Sequence, residues 1–200
     1  MNTLRRLYRG LEAVNGADSG VDPVDFLVPV DRGPGASQQE LVLVREADDG
    51  AVEIALALEH SALDRLEACP SALADAALAD TLPIVEGLSH LLYLVEAVRR
   101  ERPVSGLELE TQAEVDKLAL CLLHRWPDTT DYPRLVDRLF YQWHPVGHLH
   151  ERYTLANRVA LAFARILTPL VRDGRLGHLR AALRRFWSAG MAEKLRLAGA

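Results

Sequence analysis

Residues 40–59, ELVLVREADDGAVEIALALE, constrain this chain more than any other stretch. Two runs of strand-type composition flank Asp48, Asp49 and Gly50, the pattern of a β-hairpin. In the second run Val52, Ile54, Leu56 and Leu58 alternate with Glu53, Ala55, Ala57 and Glu59. One face is therefore apolar, and the other is polar or lined by alanine. An apolar sheet face has to be covered by another layer. VDFLVPV, residues 24–30, reads as a further short strand, and Pro29 removes one ladder donor, which confines that strand to an edge. The cover must come from helices.

The rest of the chain supplies them. Leu4, Leu7, Leu11 and Val14 form one stripe of a helix over residues 2–14 that Asn15 and Gly16 end. RGPGASQQ, residues 32–39, reads as a flexible connection. Ser61 is placed to cap a short helix to Ala68, which Pro70 breaks. Pro83 opens a strong helix to Arg100, and Ser105 starts another that runs to Arg125. Asp131 precedes a helix over 132–143, and longer helices follow over 151–172 and 176–188, with a short tail after them. The expected fold is α+β: a small antiparallel sheet, made of the hairpin plus an edge strand, followed by a mostly helical bundle. The division expected is a small α/β part over 1–70 and a bundle over 71–200, together one compact unit.

Composition narrows the function classes. At 200 residues, 49% hydrophobic and 26% charged, the chain is an ordinary globular protein with a real core. A net charge of −5 argues against binding nucleic acid by bulk electrostatics. The N-terminal arginines at 5, 6 and 9 precede no apolar signal core. Arg158 and Arg165 interrupt the most membrane-like stretch, residues 155–171. Cys69 and Cys121 lack metal-type spacing. A cytoplasmic location without membrane association is the expectation, and the richness in alanine, leucine and arginine fits a bacterial protein.

Three constellations are candidates for a site. On the helix after Pro83, Ile84, Val85, Leu88, Leu91, Leu92, Val95 and Val98 make an apolar arc, while Glu86, His90, Tyr93 and Ala97 fall on the opposite side. A carboxylate and an imidazole at i and i+4 can share a metal or a proton. The plainer reading is a solvated stripe with a weak i,i+4 contact. Gly87, between them, costs a helix interior about 1 kcal/mol against alanine and suggests close packing of a neighbour. On the next helix Glu108 is explained by the S-x-x-E capping box with Ser105. Glu110 and Asp116 point away from the core face. Glu114 projects among Leu107, Leu118 and Cys121 and needs a partner, either a lysine or arginine or a metal shared with Glu86 and His90. Against a di-metal bundle, the chain contains no Glu-x-x-His.

The segment WHPVGHLHERY, residues 143–153, holds His148 and His150 at a usable metal spacing. HERYT carries threonine at 154 where a zinc protease needs its second histidine, so that reading is excluded. Lastly, seven lysines and arginines follow residue 171 against two acids. Arg180, Arg184 and Arg185 occupy a solvated side, with Trp187 on its margin, as a surface for an acidic partner. The leading expectation is a regulatory or interaction protein without catalysis that docks a protein partner, or a second copy, through a helical face or edge strand. The alternatives are a divalent transition-metal protein or enzyme built on Glu86, His90 and Glu114 with His148 or His150, and a nucleic-acid accessory using the C-terminal arginines.

Overall fold

The computed structural model describes residues 1–30, 40–46, 52–69, 71–142 and 150–200. The first elements are α1 (Asn2–Asn15), β1 (Leu27–Val30), β2 (Glu40–Glu46), β3 (Val52–Glu59), α2 (His60–Ala68) and α3 (Leu78–Arg99). Then follow α4 (Gly106–Arg125), α5 (Tyr132–Phe140), α6 (His150–Arg172), α7 (Leu176–Ser188) and α8 (Met191–Ala198). The protein is mostly helical. It divides into two units, residues 1–12 with 18–103 and residues 13–17 with 104–200.

In the first unit the strand order is β1-β3-β2. β2 runs antiparallel to β3, with Arg45 opposite Glu53 and their side chains paired at 2.8 Å. β1 pairs parallel with β3, Leu27 opposite Leu56 and Val30 opposite Glu59. The expected antiparallel sheet is thereby corrected. The reason lies in β3, whose Leu56, Ala57 and Leu58 are all buried. The most apolar strand takes the centre and accepts a partner on each side, β2 in antiparallel and β1 in parallel. β1, which carries Pro29, stays at an edge. The expected turn at Asp48, Asp49 and Gly50 and the connection over 32–39 lie outside the described residues.

Other local expectations shift as well. The strand expected from Val24 begins at Leu27, because Asp22 accepts from the Val24 amide at 3.1 Å and caps a 3-10 turn over Pro23–Phe26. α2 starts at His60, so Ser61 lies inside the helix, where its hydroxyl donates to Glu59 at 2.8 Å. α3 starts at Leu78 and contains Pro83. So near a helix start the proline leaves only the Ala79 carbonyl without its helix partner, a modest loss that packing of α3 on β2 and β3 offsets. α1 is fastened by a side chain from elsewhere: Glu67 of α2 accepts from the amides of Thr3 at 3.2 Å and Leu4 at 3.0 Å, and from the Met1 amino group at 3.0 Å.

In the second unit α4 packs against α6 and α5, and α6 against α7 and α8. α5 ends at Phe140, short of the expected 143, and the expected tail contains α8. Gly16, at φ 66°, turns the chain after α1, and the Arg184 guanidinium of α7 lies against it so closely that a Cβ would meet Nε at 3.0 Å. Trp187 is buried rather than marginal, packed with Leu179, Leu183 and Phe186 on the inner face of α7.

Candidate functional site

α3 is buried on nearly every side. His90 is 7% exposed, Tyr93 2% and Ala97 4%, and Glu86 is half-buried. The stripe opposite the apolar arc is not a wet face, which corrects that expectation. The same face continues past the helix end, where the Arg102 guanidinium lies 5.2 Å over the Tyr93 ring, a cation–π arrangement.

α4 is buried without a break from Glu110 to Leu122, so Glu110 and Asp116 do not point to solvent as the helical projection suggests. Its cap forms as read, with the Ser105 hydroxyl accepting from the Glu108 amide at 3.2 Å. The acids are each answered. Glu114 takes the Lys117 ammonium at 2.6 Å, both side chains 5% exposed. Asp116 accepts from Gln112 at 2.9 Å and from Asn15 at 3.0 Å. Glu110 meets Arg152 of α6 at 3.0 Å. Burying these charges singly would be costly, and cations and amides placed at hydrogen-bond distance make it tolerable.

Glu86 and His90, one helical turn apart on α3, could each offer a metal ion one donor atom. Glu86 and His90 are the pair read from the sequence. Glu110 is buried where the projection sends it to solvent, because a helical projection shows angle along one helix and not what covers each face. Glu114, one turn further along α4, holds its lysine. His148 lies outside the described residues, as does the side chain of His150. Arg180, Arg184 and Arg185 are exposed, with Arg185 3.5 Å from Glu193 and Arg184 3.4 Å from the Ala13 carbonyl.

α3, taken from Asp75, and α6 are long and apolar enough to cross a membrane by length and composition. The apolar window is 67% buried within the protein in the first and 39% in the second, and burial of that extent in α3 is what a core helix shows. No family model, no curated protein and no solved structure matches the chain.

Proposed function

We propose that the protein binds a divalent transition metal through Glu86 and His90 of α3. The observation that carries this reading is an imidazole and a carboxylate at i and i+4 of α3, in residues that are buried or half-buried. Such a nitrogen–oxygen donor set suits zinc, iron or manganese. A coordination position left open by the protein would take water or a small ligand, which the ion would polarise as a Lewis acid.

Elemental analysis of protein purified after metal-supplemented expression tests this. Wild type should retain about one equivalent, and Glu86→Ala and His90→Ala should each lose it. Less than about a tenth of an equivalent in wild type refutes the reading.

A second reading, a cytoplasmic docking protein, draws on the exposure of Arg180, Arg184 and Arg185 on α7. It calls for an acidic protein surface as partner, and charge reversal at Arg180 and Arg184 should abolish capture of that partner. Unchanged capture would remove α7 from the interface.

A further inference from the structure

We propose that the outer face of α6 is a docking surface for an anionic lipid bilayer, which the protein binds from the water side without crossing it. The face lies wholly within the second unit. Arg158 and Arg165, the residues that interrupt 155–171 as a membrane span, are exposed on it. Leu155 and Ile166 are exposed there too, by 43% and 48%. At 100° per residue these four and the exposed Pro169 fall within an arc of about 100°, the arginines along one border and the aliphatic groups along the other. Tyr141, just past the end of α5, extends the patch: its side chain is exposed, and Arg165 donates to its hydroxyl at 2.6 Å. Six large apolar side chains are exposed among the described residues, and Leu155, Ile166 and Tyr141 are three of them. Exposed apolar surface is thus gathered here rather than scattered.

Charge decides what covers the patch. In sequence the first unit holds nine lysines and arginines against eighteen acids, and the second holds fourteen against ten. In the second unit Glu108, Glu110, Glu114 and Asp116 are buried, as are Lys117 and Lys194. Solvent therefore meets twelve arginines against six side-chain carboxylates on that unit. The occupant has to be anionic over an area wider than one helix, and it has to offer an apolar layer to Leu155 and Ile166. Nucleic acid lacks the second property, and an acidic peptide helix lacks the first. A bilayer with anionic headgroups has both. Aliphatic and tyrosine side chains enter the acyl boundary, and guanidinium groups hold the phosphates above it. A second copy is disfavoured, because pairing this face with itself brings the arginines together.

The test is co-sedimentation of the full chain with two sets of vesicles at low salt. One is phosphatidylcholine alone, and the other is phosphatidylcholine and phosphatidylserine in equal parts. Wild type should bind the second set and not the first. Arg158→Gln and Arg165→Gln should each weaken that binding about fivefold. Ile166→Ser should weaken it about tenfold, through loss of an inserted side chain. All three positions are exposed, so the urea midpoints should stay at the wild-type value, and Leu155→Ser takes the place of Ile166→Ser if that variant does not fold. No binding to the anionic vesicles, or equal binding to both sets, overturns the proposal. Binding that the arginine variants weaken and the serine variants leave unchanged also overturns it, since charge alone would then hold the protein. Equal affinity for soluble polyglutamate, with the same response to Ile166→Ser, assigns the face to an acidic protein instead.

Discussion

Lys194 carries a charge into the interior of the second unit, and its neighbours explain how the fold tolerates it. The ammonium is fully buried, donates to the Gln112 side-chain carbonyl and to the Phe186 backbone carbonyl at 2.6 Å each, and sits 4.5 Å over the Phe186 ring. Gln112 in turn donates to Asp116, which also accepts from Asn15, so a continuous polar chain ties α8 to α4 and to the end of α1. Lys194→Ala removes a donor from the Gln112 carbonyl and one of two from the Phe186 carbonyl, which keeps the Ala189 amide, and leaves a void, and should cost about 3 kcal/mol in urea unfolding. Lys194→Met fills the space and should cost clearly less than the alanine variant. A loss below about 0.5 kcal/mol in Lys194→Ala would show that the network does not hold α8. At this scale Glu114 was legible, since its angle among Leu107, Leu118 and Cys121 demanded a partner and Lys117 is one. Glu110 was not, because nothing within α4 records that its second face is covered too.

Elements show the same division. Glu67 gives α1 the N-terminal cap that the helix lacks in its own sequence. Burial pushes the Glu67 carboxyl up, but the Leu4 amide, the Met1 ammonium and the Thr3 amide together hold it below its ordinary value of 4.5. A lowered carboxyl contributes stability that is fully present above the unfolded value and lost as pH falls through the folded one. The first unit should therefore lose stability as pH drops below about 4.5, with loosening of the first turn of α1 visible by amide exchange. Glu67→Gln should flatten that acid limb and cost about 1 kcal/mol at neutral pH. An unchanged acid limb would assign the loss to other carboxylates. The start of α3 and the existence of α8 were misread for related reasons. Pro83 is a boundary signal only when no tertiary contact supports the turn before it, and α8 is short enough to need Lys194 to hold it.

For the molecule as a whole, metal binding and stability are linked. An ion that binds only the folded form at a hundredfold excess over its dissociation constant adds about 2.7 kcal/mol, a rise of roughly 5 to 10 °C in Tm for a chain of this size. Zinc should produce that rise in wild type and none in His90→Ala, read by calorimetry, and equal rises in both would place the ion elsewhere. The sequence by itself determined where most helices and strands lie, that one strand was apolar enough to need cover, and that Glu86 and His90 share a helix face. Those properties are periodic and local, set by propensity and spacing within one element. Tertiary structure alone decided that β1 pairs parallel with β3, that the stripe holding Glu86 and His90 is buried rather than wet, and that Glu110 is buried rather than turned to solvent. Each of these depends on what lies against the second face of an element, and a sequence pattern carries only the preference of each face, not the neighbour that covers it.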